Sequence, residues 1–141
     1  MQELVHVFHL IKSLGRGGAE TLLPETLRFA DRDRFVYGYG YFLPWKDDLV
    51  TEFEAQDVEV KCFDAKSNTH ILLSARRVAN YLQGWDADIM HCHLPIAGIV
   101  GRLAGRWASV PVVYTEHYLQ EQYHPVTRWG NHYTWNLSIV W

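Results

Sequence analysis

The sequence predicts an α/β domain, a Rossmann-like, doubly wound parallel sheet with helices on both faces. Three observations carry that reading. Five short apolar or aromatic runs alternate with segments of helical periodicity along the 141 residues, which is the pattern of parallel βαβ units joined by right-handed crossovers. A glycine-rich turn, Gly15-Arg16-Gly17-Gly18, lies between the first run and the first helical segment, where a backbone must pass sharply from strand to helix. The length allows one compact domain with a real core and is short for two.

Leu4 to Ile11 alternates imperfectly between apolar side chains and His6 and His9, as a central strand can. After the glycines, Leu22, Leu23, Thr26, Leu27 and Ala30 recur at helical spacing, so Ala19 to about Asp31 is expected to be an amphipathic helix, with Pro24 kinking it or delaying its regular start. Phe35 to Leu43, where aromatics alternate with glycine, is the second strand and Pro44 closes it. Asp47 to Gln56 is a short helix, and Val58 to Phe63 the third strand. Ile71, Leu72, Ala75, Val78, Ala79 and Leu82 form one stripe, which predicts a single helix over His70 to Gln83 with Arg76 and Arg77 toward water. Asp88 to His93 is the fourth strand. In the helix that follows, Ile96 to Trp107, the glycines 98, 101 and 105 thin one side for close packing on a sheet. Pro111 to Thr115 is the fifth strand, Pro125 to Leu137 a last helix, and the apolar ending Ser138 to Trp141 reads as the start of another strand.

With the strand order 3-2-1-4-5, the runs carrying Cys62 and Cys92 lie three steps apart, roughly 14 Å at the usual spacing, too far for a disulfide. Both cysteines then suit a reducing compartment as small apolar side chains. A net charge of −3 and no basic stripe argue against a general grip on nucleic acid. No apolar run approaches the roughly 20 residues that span a bilayer, and the first residues lack a basic n-region followed by an apolar h-region. The expectation is a cytoplasmic protein.

In a doubly wound sheet, ligands collect beyond the carboxyl ends of the strands. That directs attention to Gly15 to Glu20, His93 to Pro95, and Glu116 to His124. The amides that open a helix lack partners within it and carry the positive end of the dipole, so the glycine turn suits phosphate, carboxylate or a sugar hydroxyl. A dinucleotide fingerprint fails, because Glu20 replaces the third glycine and Tyr41-Phe42-Leu43-Pro44 stands where a ribose-binding carboxylate belongs. No Gly-Lys-Ser/Thr follows, so a Walker loop fails too. His91 and His93 share one strand face while Cys92 takes the other, so the three do not form a metal set, although two same-face imidazoles can bind a metal with help from outside the pair. One histidine in the core and the other at the cleft rim is favoured, His93 being the better site candidate. His117 and Glu116 lie just past the fifth strand, where an imidazole and a carboxylate can bond sugar hydroxyls. Glu20 is read as a bond to the turn above its own helix, and Arg16 as either an anion contact or a solvated side chain.

Three segments taken together resemble the N-terminal domain of family 4 (group 1) glycosyltransferases. They are Gly15-Arg16-Gly17-Gly18-Ala19-Glu20-Thr21 after the first strand, Asp88-Ile89-Met90-His91-Cys92-His93 in the fourth, and Val112-Val113-Tyr114-Thr115-Glu116-His117 in the fifth. The resemblance implies the N-terminal half of a GT-B fold, two Rossmann-like domains facing across a cleft. It also implies transfer of a sugar, with retention, from a nucleotide-sugar donor to a sugar or lipid-linked acceptor, with no metal required. By the same resemblance His117 is the catalytic candidate beside the transferred sugar, and Gly17 and Gly18 approach the donor phosphates or sugar. Arg16, His93 and Glu116 complete the substrate-binding set, and no metal ligand is assigned.

Residues 1–141 are thus expected to be a truncated domain that lacks its C-terminal, donor-binding partner and is inactive alone, since most groups that meet the leaving diphosphate would reside there. Tyr118, Tyr123, Trp129, Tyr133 and Trp135 are the densest aromatic stretch. Sugar stacking, contact with the inner face of a membrane, and burial against the missing domain all account for it. The alternatives from other classes are a stand-alone Rossmann-like module that binds an anion or sugar without chemistry, and a regulatory or redox domain, which the lost third glycine disfavours.

Overall fold

The computed structural model describes residues 3–117 and 122–138. Five parallel strands form one sheet, β1 (Val5–Leu10), β2 (Phe35–Tyr41), β3 (Glu59–Cys62), β4 (Ile89–His93) and β5 (Val112–Thr115), in the order β3-β2-β1-β4-β5. This is the order taken above for the cysteine spacing, and the switch in the direction of strand addition falls between β1 and β4. Helices α1 (Gly18–Leu27) and α2 (Val50–Glu54) pack Leu23, Leu27 and Phe53 on one face, against Tyr39, Tyr41 and Ile11. On the other face α3 (Asn68–Leu73), α4 (Ala75–Gly84) and α5 (Pro95–Ala108) bury Ile71, Val78, Leu82 and Val100 against Phe8, Leu10, Met90 and Cys92. Helix α6 (Pro125–Thr134), continued by a 3-10 turn at Trp135–Leu137, lies on α5.

Glycines set the closeness of these layers. A Cβ on Gly101 would stand 2.1 Å from Cys92 Sγ, and one on Gly105 2.4 Å from Val112. Helix α5 therefore rests directly on β4 and β5, as its glycine spacing predicts. In β2 the tyrosines face α1 and α2, while Gly38 and Gly40 leave room on the opposite face for the Trp85, Phe8 and Phe63 rings. Arg102, fully buried in α5, lies 4.4 Å from the Tyr114 ring centroid and donates to Asn131 Oδ1 at 2.6 Å and Thr134 Oγ1 at 3.1 Å, tying α6 down.

Several boundaries differ from expectation. The single helix over His70 to Gln83 is two, α3 and α4, because the Ser74 hydroxyl donates to Ile71 O at 2.5 Å and Ser74 leaves helical geometry at φ −87°, ψ 2°. Helix α1 runs through Pro24 and ends at Leu27, short of Asp31. Cys62 and Cys92 are free thiols, Cys92 buried under α5. The strand expected at Ser138 to Trp141 lies almost wholly outside the described residues.

Candidate functional site

The glycine turn leaves the carboxyl end of β1 and enters α1 with Gly17 as the residue before its first turn, extended at φ −100° and ψ 174°. No side chain caps the helix, so its opening amides face the space beyond the sheet with the dipole behind them. Positive φ, the conformation glycine was expected to supply here, occurs at no described glycine. Close approach explains Gly17 instead: a Cβ there would lie 2.3 Å from Glu20 Oε2. The Glu20 carboxylate folds back over the turn and accepts from the Ser13 hydroxyl at 3.3 Å, the structural role the sequence favours for it.

The loop after β2 braces this turn. Leu14 N donates to Lys46 O at 2.8 Å, and Leu49 N to Leu14 O at 3.0 Å. Between them opens a pocket of about 290 Å³ lined by Ser13, Gly15, Arg16, Gly17, Glu20, Lys46 and Asp48. Gly18 is unobstructed, with no atom within 4 Å of where a Cβ would stand. Arg16 is largely exposed and pairs with Glu52 at 3.2 Å. Burial and the neighbouring Lys46 charge lower the Lys12 pKa. Lys12 and Lys46 were not singled out in the sequence; Lys46 reaches the pocket because β2 and β1 end side by side.

At the same end of the sheet, imidazoles from three neighbouring strands meet. Register places His9 of β1 opposite His91 of β4, and His93 follows on the same face. His9 Nδ1 lies 3.0 Å from His93 Nε2, and His93 Nδ1 lies 3.4 Å from His117 Nε2 just past β5. His91 and His93 stack with centroids 4.2 Å apart, while Tyr39 stacks on His9 at 4.8 Å. Burial, reinforced by the other imidazoles, pushes the His9 pKa down to about 3 and that of His93 to about 2; His91 is lowered for the same reasons. All three are neutral at physiological pH. His93 is 4% exposed and His91 half-buried, its Nε2 bonded to Thr115 Oγ1 at 2.7 Å. The Glu116 carboxylate accepts from Tyr114 OH at 2.9 Å and from Tyr123 OH, so its oxygens are held by the protein.

His9 is the member sequence reasoning missed. The sequence reads it only as a polar interruption of the first strand; the strand order sets β1 beside β4, and the register brings His9 level with His91. Leu94 was missed as well. It joins His93 to Pro95 at φ 70°, ψ 153°, a region that nearly only glycine occupies and that stores strain at functional positions.

A second cavity, of about 620 Å³, lies between α3, α5 and α6, lined by Leu72, Ile96, Ile99, Val126, Trp129 and Tyr133 among others.

The uncapped helix terminus behind the glycine turn and the neutral imidazoles at adjoining strand tips lie at the edge where doubly wound sheets collect their ligands. The profile of glycosyltransferase family 4 matches residues 5–140. EpsD of Bacillus subtilis (strain 168), a protein assigned to the glycosyltransferases, is 32% identical over 72 aligned positions that cover 42% of this chain and 19% of EpsD. HepE of Anabaena, solved in complex with UDP, superposes with a TM-score of 0.76 at 22% identity, over 96% of this chain and 37% of HepE. MurG of Acinetobacter baumannii gives a TM-score of 0.70 at 15% identity, over 96% of this chain and 40% of MurG. The chain belongs to glycosyltransferase family 4, and its fold is that of the N-terminal Rossmann-like domain of the GT-B architecture. It spans less than half of each of these relatives.

Proposed function

We propose that this chain supplies one wall, the acceptor side, of a retaining glycosyltransferase that takes its sugar from a nucleotide-sugar donor. The observation that carries the reading is the convergence of the Gly15–Gly18 turn, His93 and His117 at one end of the sheet in a chain that matches family 4 over nearly its whole length. HepE, with the same fold, was solved with UDP, in keeping with a nucleoside diphosphate donor.

In this reading the amides of Gly18 and Ala19, with Arg16 and Lys46 beside them, meet the negative charge that develops as the sugar leaves its phosphate. In this reading they add to the larger set of donors and cations on the facing domain, and the transfer step uses no metal. His117, oriented through His93, bonds a hydroxyl of the transferred sugar, and Glu116 positions it from the other side. The glycine pocket, at about 290 Å³, is at the lower limit of sites that enclose a small ligand, roughly 300–1,000 Å³. A facing domain closes the site, so these 141 residues alone are a half-site with negligible turnover. The check is incubation of this chain with labelled nucleotide-sugars and candidate acceptors. No transfer is expected, and measurable turnover would refute the half-site. A second reading, an anion-binding module without chemistry, rests on the uncapped α1 terminus. It is supported instead if inorganic phosphate binds as tightly as a nucleotide-sugar.

The acceptor side is proposed to meet the inner face of a membrane through α3 and α6. Leu73, Val126, Trp129 and Tyr133 are 77%, 67%, 64% and 65% exposed there. The stretches 65–85, 94–115 and 122–138 contain no aspartate or glutamate but carry Lys66, Arg76, Arg77, Arg106 and Arg128. Exposed aromatic and leucine side chains beside unopposed cations suit an anionic interface. Flotation with anionic liposomes in moderate salt is expected and should be lost on combining Leu73→Ser with Trp129→Ser; absence of flotation by the parent chain would remove this part of the account.

A further inference from the structure

We propose that the imidazoles of His9, His91 and His93 form a binding site for one divalent transition-metal ion, zinc above all. One ligand atom from each lies within 4.8 Å of the others, and the three come from adjacent, hydrogen-bonded strands that need no rearrangement to bring them together. Tetrahedral zinc holds imidazole nitrogens at about 2.0–2.1 Å, which sets neighbouring nitrogens about 3.3 Å apart. His9 Nδ1 and His93 Nε2 are already at 3.0 Å, and since no ligand atom lies more than 4.8 Å from another, ring movements have at most about 1.5 Å to close.

The outer contacts point the same way. Metal-bound histidines pass their second nitrogen to a hydrogen-bond partner that fixes the ring. Here Thr115 Oγ1 holds His91 Nε2 at 2.7 Å, and His117 Nε2 lies 3.4 Å from His93 Nδ1. His91 Nδ1 and His93 Nε2 are thereby left for the centre, where His9 Nδ1 also stands. Tyr39 stacks against the His9 ring and limits its rotation. An all-nitrogen set suits zinc, copper or nickel and not the oxygen-seeking calcium or magnesium. Among the described residues no carboxylate or thiol joins the group. The fourth position therefore takes water or a group from solvent, as in open three-histidine sites.

Occupancy would clamp β1 to β4 beneath the glycine turn and take a nitrogen of His93. The ion is thus proposed as a brace on the cleft floor whose binding competes with other uses of His93.

The test uses the untagged 141-residue chain, stripped with EDTA and titrated with zinc by calorimetry and with cobalt by visible absorption. One ion per chain is expected, with micromolar or tighter affinity, the intense bands of tetrahedral cobalt, and a rise in the thermal midpoint. His9→Phe and His91→Gln should each weaken binding at least tenfold. Thr115→Val, which keeps all three ligands, should weaken it about 10- to 100-fold, whereas His132→Gln on α6 should leave it unchanged. Circular dichroism identifies a variant that fails to fold, in which case Thr115→Val and His91→Gln decide. Absence of binding at micromolar zinc, or affinity unaltered in the variants that fold, would overturn the site.

Discussion

Leu94 is the residue whose backbone conflicts most with its side chain. At φ 70°, ψ 153° a Cβ is strained by about 1–3 kcal/mol, and the neighbours that enforce the conformation are His93, held in the imidazole cluster, and Pro95, fixed at the first position of α5. Glycine relieves that strain and alanine does not, although both remove the same half-buried packing to within a methyl group. Leu94→Gly should therefore be more stable than Leu94→Ala by about 1–3 kcal/mol, the reverse of the order at an ordinary position, as read from urea unfolding of the two variants. Equal stability, or alanine ahead, would mean that the position carries no strain. A sequence of residue types does not announce such a site, since leucine before proline reads as ordinary extended chain. The same limit hid the third imidazole. His91 and His93 were legible because they share a strand, whereas His9 belongs with them only through the order β1-β4 and the His9–His91 register.

At the level of elements, what was legible followed from spacing. The glycines of α5 announced close packing, and the contacts with Cys92, Val112 and Tyr114 bear that out. Gly101→Ala places a methyl group 2.1 Å from Cys92 Sγ, and overpacking of this kind costs about 1–3 kcal/mol. Adding Cys92→Ala should recover part of the loss, because the colliding atom is gone. The double variant is thus predicted to be more stable than the sum of the single changes implies, and strict additivity in unfolding experiments would contradict the contact. What spacing did not reveal was the break at Ser74. The apolar stripe continues through it, and only the hydroxyl bonding back to Ile71 O separates α3 from α4. The α1 boundary was misjudged for a related reason, as the apolar period outlasts the helix.

On the scale of the whole molecule, strand order does most to make a site. The Gly15–Gly18 turn, His93 and His117 are far apart in sequence, and each was ambiguous by itself. A sheet ordered β3-β2-β1-β4-β5 places them at the same end, around an α1 terminus that no side chain caps. The site was legible as strand tips and motifs; the groups that brace it, such as the loop carrying Lys46, were not, because their positions depend on tertiary hydrogen bonds. The central claim is that this end of the sheet is the wall against which a nucleotide-sugar lies. The most direct measurement is amide NMR of the 141-residue chain titrated with a panel of nucleotide-sugars. The account predicts weak, saturable shifts centred on Arg16, Gly17, Gly18, His93 and His117, abolished for the loop amides by Gly17→Val. Shifts confined to the α3 and α6 surface, or loop shifts that survive that substitution unchanged, would contradict it.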